Sequence, residues 1–467
     1  MNALSRPPAA LPAPLIAALQ ALLGDRLSRR AADLEQHGRG ESYHAPHPPQ
    51  AVARVASTEE VAELVKLCAA HRVPVIPFGA GTSMEGHVVA VAGGVCIDLS
   101  GMNAILAVRP GDLDVTVQAG VTRHQLNNHL RDQGLFFPVD PGADATLGGM
   151  TATRASGTNA VRYGTMRENV ISVTAVMADG TVLRSASRAR KSSSGYDLTR
   201  LLVGSEGTLG VITEVTLRLY GVPEAVSAAI CRFPDVASAV ATVTSLVQCG
   251  VPVARAELLD GRTMQAVNKH FRLQMPEVPT VFFEFHGTPQ GVEEQAVTAQ
   301  ELAADHGGSD FERATGQEAL NRLWHVRHNV QYAIQGMRPG GRVWATDVCV
   351  PLSRLVELVR WTEGETGALP FFVAMLGHVG DGNFHLGFCI DPNSPAELAV
   401  AEEFNARLVK RAIALEGTCT GEHGVGLGKR KFMALEHGPG VAVMRAVKAA
   451  LDPLGIMNPG KMLPDQT

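Results

Sequence analysis

A chain of 467 residues, 45% hydrophobic and 19% charged, is long enough for two or three domains and too apolar to be disordered. Its net charge of -5 gives no global reason to expect nucleic acid or an acidic membrane surface as a partner. Seven cysteines, scattered and without a Cys-x-x-Cys pair, read as thiols of a reducing compartment, which makes the cytoplasm the expected location, with peripheral contact to the inner membrane allowed.

The elements follow in chain order. The N-terminal run is broken by prolines and reads as neither a secretory signal nor a membrane span. "PAPLIAALQALLGDRL" (12–27) has helical spacing with proline near its start. After a Pro/His-rich connector come a strand "AVARVA", a helix "STEEVAELVKLCAAHRV" and a strand "PVIPF". Ser57 followed by Glu60 suggests a capping box at the helix start. Short apolar runs from 95 to 122 alternate with turn residues, as in a mixed α+β sheet. Strand signals stop at "GVPEA" (221–225), the best domain boundary. Beyond it, strands alternate with long helices, which predicts an antiparallel sheet covered by helices on one face. The expected division is an N-terminal helical segment (1–45), a first domain (46–222) and a second (223–467).

Forty-eight glycines are more than usual, and three clusters of them stand out. "PFGAGTSMEGH" (77–87) follows a strand and offers backbone N–H groups that would suit a pyrophosphate. Alone it reads equally well as a strand-to-helix turn, and it is not Gly-x-Gly-x-x-Gly. "DPGADATLGGMTATRASGTNAVRYG" (140–164) is nearly uncharged and small, suited to wrapping a flat ligand, and "GSEGTLGVIT" (204–213) repeats that character. "GVGLGKRK" (424–431) is no Walker A loop, since His423 and Arg430 occupy the positions that need Gly and Ser/Thr.

In order and spacing, these three segments resemble the FAD-binding domain of the vanillyl-alcohol oxidase/PCMH flavoprotein superfamily. The resemblance implies that Gly79, Ala80, Gly81, Thr82 and Ser83 hold the pyrophosphate. It places Pro141, Asp144, Thr146, Gly149, Ser156 and Gly157 beside the flavin and diphosphate, and Glu206, Gly207 and Ile212 near the adenosine half. His87 lacks the Gly-Gly-His context of covalent attachment, so non-covalent FAD is expected.

"GHVGDGNFH" (377–385) brackets an Asp-Gly-Asn turn with two histidines. A two-residue turn at Asp381-Gly382 would pair His378 directly with His385 across the strands, with Cβ atoms roughly 4.5–5.5 Å apart. Two stacked surface histidines would fit the hairpin equally. "GTCTGEHGVGLGKRK" adds Glu422 as a third ligand and His423 as an adjacent base, and a His₂-carboxylate set leaves positions open for substrate oxygens.

"GHVGDGNFH", "GEHGVGLGKR" and "NPGK" together resemble the FAD-linked D-2-hydroxy-acid dehydrogenases, nearest to the cytochrome-type D-lactate dehydrogenase group. The implied fold class is α+β: a PCMH-type FAD-binding domain plus a C-terminal cap domain with an antiparallel sheet covered by helices, its last ~15 residues returning to the flavin. The implied metal, zinc or manganese, sits on His378, His385 and Glu422. His423 is the implied base, Arg327 a clamp for the substrate carboxylate, Asn383 a residue orienting either the substrate or the hairpin turn, and Asn458 a neighbour of the flavin ring. Relatives specific for 2-hydroxyglutarate tend to carry a lysine where this chain has Ala345 and Thr346, so a short substrate such as D-lactate is favoured. The electron acceptor would be a cytochrome, a quinone or an electron-transfer flavoprotein. The competing expectations are a glycolate oxidase flavin subunit, a D-2-hydroxyglutarate dehydrogenase, or a flavin-binding subunit without catalysis of its own.

Overall fold

The computed structural model describes residues 9–314 and 316–465, so residues 1–8 of the N-terminal segment lie outside the described residues. The chain divides into two compact units. One comprises the residues through Ser156, Gly164–Val222 and everything from Glu422 on; the other comprises Gly157–Tyr163 and Pro223–Gly421. The C-terminal segment that groups with the first unit is thus longer than the last fifteen or so residues suggested by the sequence.

The first unit opens with the helix Ala13–Leu23, shorter than the 12–27 stretch expected. Gly24 ends it at φ +56, and Leu27–Ser28 then joins a sheet edge. Leu15, Leu19 and Leu23 recur every four residues and are buried against Val61, Leu64, Val65 and Cys68 of the helix Thr58–Ala70. Burying each such leucine contributes about 1.5–3 kcal/mol. Ser57 caps that second helix by accepting from the Glu60 N–H at 3.2 Å. The box is only half made, because the Glu60 carboxylate goes to the Ala56 N–H and to Arg26 instead.

Strands Ala51–Arg54, Val95–Asp98 and Val75–Phe78 run parallel in that order. A second, antiparallel sheet follows, in the order Ile105–Arg109, Asp114–Gln118, Gly210–Arg218, Val170–Met177 and Val182–Arg184. Residues from far down the chain complete the first sheet: the Val75 N–H bonds the Ile456 carbonyl and the Asn458 N–H bonds the Val75 carbonyl, both at 2.9 Å.

The second unit is built on one antiparallel sheet. Its order is Ser309–Ala314, Ala225–Arg232, Thr280–Gly287, Val253–Leu259, Phe372–His378, Asn383–Ile390 and Arg342–Ala345, with Val348–Cys349 pairing the start of Asn383–Ile390. Helices cover both faces, not one. Phe388 packs against Phe404 of the helix Pro395–Ala414. Its neighbour Gly387 faces the other way, where an added Cβ would come within 2.8 Å of Ile334 in the helix Val330–Gln335. Asn383–Ile390 is accordingly buried along its whole length, as a strand between two layers must be.

Candidate active site

The hairpin register differs from the expected one by two residues. Leu376, not His378, stands opposite His385, and a four-residue loop, 379–382, replaces the two-residue turn. The Asp381 N–H bonds the His378 carbonyl at 2.9 Å, and Gly382 takes φ +79 where a Cβ would lie 2.1 Å from the Val350 carbonyl oxygen. A shift by an even number of residues keeps every side chain on its face. His378 and His385 are therefore diagonal neighbours, with ring centroids 5.5 Å apart and nearly perpendicular planes. A ring nitrogen of each lies within 4.8 Å of the other.

Both rings are oriented through Nδ1. His378 Nδ1 meets the Glu257 carboxylate at 2.7 Å, and His385 Nδ1 meets the Thr346 carbonyl at 2.9 Å. Neither oxygen has a proton to give, so each Nδ1 carries the hydrogen, and in the neutral ring Nε2 presents its lone pair. That is the tautomer a metal-binding histidine needs, with the outer partner that such histidines usually have. The donor set of this hairpin therefore fits a divalent cation.

Charge on this sheet face supports the same reading. Arg327 is paired with Glu257, and Arg255 lies 3.4 Å from Glu284, itself bonded to His286. Asp347, fully buried, accepts from Asn383 Nδ2 at 2.8 Å and from the Thr420 hydroxyl at 2.6 Å. The charges within the two guanidinium–carboxylate pairs offset each other, and Asp347 remains as a further carboxylate, 3.8 Å from His385 Nδ1, where a negative charge favours a cation.

One expectation about side chains changes here. The Nε and Nη2 edge of Arg327 is turned onto Glu257, at 2.9 and 2.5 Å, so that edge is not presented to a substrate carboxylate. The Asn383 amide donates to Asp347 and the Val348 carbonyl and so anchors the hairpin, the second of the two roles expected of it. It also explains Gly421, since a Cβ there would lie 2.2 Å from Asn383 Nδ2. Glu422 is the next residue along the chain.

In the first unit, Gly79 brings the first glycine loop against the second. A Cβ at 79 would fall 2.2 Å from the Thr146 hydroxyl oxygen. Thr146 caps the short helix Leu147–Thr153 through the Gly149 N–H. Gly81, Thr82 and Ser83 are half-buried and Ala80 is exposed. Pro141 is half-buried, whereas Asp144 lies at the surface, 3.3 Å from His124. Ser156 is buried and ends its stretch of this unit, while Gly157 belongs to the other unit. Ile212, expected near the adenosine, is packed in the hydrophobic core among Val115, Val173 and Val215.

Glu206, likewise expected at the adenosine, holds a protein loop instead. Its carboxylate accepts from the Val425 and Gly426 N–H groups at 2.7 and 2.9 Å, and lies 3.3 Å from His87 Nε2. Burial opposes its charge, but His87 and the two amides outweigh that and hold its pKa below the usual carboxylate value. Gly207 follows at φ +71 against Pro77. Asn458, at φ +40, donates to the His87 and Glu206 carbonyls at 3.1 and 2.8 Å. Lys461 of the same "NPGK" turn donates to the Val89 carbonyl at 2.6 Å. Burial pushes its ammonium down to about 7, with Glu206 pulling the other way and Arg430 adding to the fall. Glu422 and His423 lie side by side in the loop that Glu206 anchors, with His423 Nε2 3.9 Å from the Glu422 carboxylate.

The glycine loops also fit a cofactor. The Ser83 and Ser205 hydroxyls, in the first and third loops, are buried without a hydrogen-bond partner. A buried hydroxyl left so costs about 1–3 kcal/mol, which a polar ligand would recover.

The sequence reading missed Glu257 and Asp347. Both had a signal: Glu257 is a lone carboxylate inside the strand "VARAELL", and Asp347 interrupts "VWATDVCVP". A charge inside a buried apolar run calls for a partner.

Two family descriptions match the chain, "FAD binding domain" over residues 49–186 and "FAD linked oxidases, C-terminal domain" over residues 222–462. The chain is 50% identical to a probable mitochondrial D-lactate dehydrogenase of Danio rerio, over 96% of this chain and 91% of the relative. It is 45% identical to the mitochondrial D-lactate dehydrogenase (cytochrome) of Arabidopsis thaliana, over 97% and 81%. The crystal structure of p-cresol methylhydroxylase with substrate bound matches at a TM-score of 0.78 and 17% identity, covering 98% of each chain. At that identity the likeness concerns the fold alone, which is α+β with a PCMH-type FAD-binding domain. Among the described residues no helix is long and apolar enough to cross a membrane.

Proposed function

This chain belongs to the FAD-linked oxidase family, and on that premise we propose that it oxidises a D-2-hydroxy acid, D-lactate first among them, to the 2-oxo acid. The substrate comes from the relatives, D-lactate dehydrogenases at 45 and 50% identity over nearly the whole chain. The observation that carries the chemistry is the histidine hairpin, two imidazoles on one sheet face with both Nδ1 atoms committed.

His378, His385 and Glu422 are the residues proposed to hold a divalent metal, zinc or manganese, and the three glycine loops to hold FAD without a covalent bond. When bound, these groups supply a hydride acceptor at flavin N5 and a Lewis acid for the substrate hydroxyl. The chain does the rest. His423 takes the proton from the α-hydroxyl oxygen as general base. Glu257 and Thr346 fix the two histidine rings, and Glu206 holds the loop that carries His423. His87 stands with Nε2 3.3 Å from the Glu206 carboxylate, and it lacks the Gly-Gly-His context of covalent attachment. Thr346 uses its hydroxyl on the Leu386 N–H, and Ala345 brings no charge, so a second carboxylate on the substrate would find no partner there.

The electrons are proposed to pass to a cytochrome, after the acceptor in the name of the Arabidopsis relative. The cytoplasm, a reducing compartment, is proposed as the location from the scattered cysteines, whereas the Danio rerio and Arabidopsis thaliana relatives are named as mitochondrial. The test is anaerobic bleaching of the flavin by D- and L-lactate, before and after treatment with a chelator. Bleaching by the D form, lost on chelation and restored by Mn²⁺ or Zn²⁺, is expected. Bleaching that survives complete metal removal would overturn the metal's part in the reaction.

A further inference from the structure

Register places Glu257 directly opposite His378 in the antiparallel ladder. Glu257 is 1% exposed, a costly place for a carboxylate unless every oxygen finds a donor. One oxygen takes His378 Nδ1 at 2.7 Å, and the other takes Nε and Nη2 of Arg327 at 2.9 and 2.5 Å. Arg327 is itself only 9% exposed. The side chains form a buried line from guanidinium to carboxylate to imidazole. His385 is held differently: its Nδ1 bonds a neutral carbonyl at 2.9 Å, and the nearest carboxylate, Asp347, stands beyond hydrogen-bond distance at 3.8 Å.

The two rings are therefore unequal. An anion behind an imidazole strengthens the far nitrogen as a donor more than a carbonyl does, and outer partners of this kind govern metal affinity. We infer that Glu257, held by Arg327, is a positioning residue for His378: it fixes the ring with Nε2 unprotonated and strengthens that nitrogen toward a divalent metal. Arg327 then serves the site through Glu257. This rests on the metal reading proposed above. The plainer explanation, a buried ion pair that only stabilises the sheet, predicts no effect on metal affinity once the fold is intact.

The experiment compares metal dissociation constants of FAD-loaded protein by competition with a chelator, using Zn²⁺ and Mn²⁺. Glu257→Gln is expected to weaken binding about 10–100-fold. Because that variant leaves Arg327 buried opposite a neutral amide, it is paired with the double variant Glu257→Gln/Arg327→Gln, which removes both charges. The double variant is expected to keep its flavin absorbance and far-ultraviolet circular dichroism while binding metal as weakly as the single. A folded double variant with wild-type affinity would overturn the inference and leave the metal reading standing. A wild-type protein that binds neither ion would overturn both. Should neither variant fold, nitrogen-15 shifts of the histidine rings in the metal-free wild-type protein decide: a proton on Nδ1 of His378 is expected, and one on Nε2 would refute the assignment.

Discussion

The carboxylate of Glu206 holds the backbone N–H groups of Val425 and Gly426, so one side chain joins the third glycine loop to the loop carrying Glu422 and His423. Hydrogen bonds to a charged acceptor are worth about 1.5–3 kcal/mol each. Glu206→Gln is expected to lower the thermal midpoint and to speed release of FAD, which a melting curve and flavin fluorescence would record. The sign with pH follows from the lowered pKa. This contribution is full above the ordinary carboxyl value of 4.5 and is lost as pH falls below it through the folded value, so the acid limb of the stability curve should flatten in the variant. An unchanged acid limb would contradict the role.

Gly79→Ala sets a methyl carbon against the Thr146 hydroxyl. Overpacking of this kind costs about 1–3 kcal/mol, and here it should appear as loss of bound FAD. Adding Thr146→Ala removes the offending oxygen at the expense of a helix cap worth about 1 kcal/mol. The double variant should therefore retain more flavin than Gly79→Ala alone. Equal retention would mean that the two loops need not touch.

His423→Ala should slow flavin reduction by D-lactate about 10²–10⁴-fold, the usual worth of a general base, while dithionite reduces the bound flavin as in the wild type. Stopped-flow absorbance separates the two. Full activity in the variant would remove His423 from the reaction.

Lys461 offers a test at neutral to alkaline pH. Its pKa is depressed to about 7 in the folded protein, from 10.5. Between those values the unfolded chain binds the extra proton, so folded stability should rise with pH through that window, by at most about 1.4 kcal/mol per unit. Urea unfolding at pH 7 and 9 would show the rise, and Lys461→Met should abolish its share. A slope identical in the variant would refute it.

Much of this architecture was legible in the residues, and the exceptions have physical causes. Glycine spacing marked the cofactor loops because a ligand or a second loop must approach the backbone closely, as Gly79 shows. The paired histidines were visible, but their register was not, since Asp-Gly marks a turn without stating how many residues it takes. The error was harmless to the site because it was even. Arg327, Glu206 and Ile212 were assigned to ligands by resemblance, yet their side chains face Glu257, the Val425–Gly426 backbone and the core, respectively. Sequence names the residue and not the direction in which it points.

The pairing of Val75 with residues 456–458 bears on how this protein is made. The strand leading into the first glycine loop gains its last neighbour from a segment roughly 380 positions downstream, a contact of very long range. On the ribosome that edge stays open until residues 456–458 have emerged, so the sheet behind the first glycine loop is completed long after the loop itself is made.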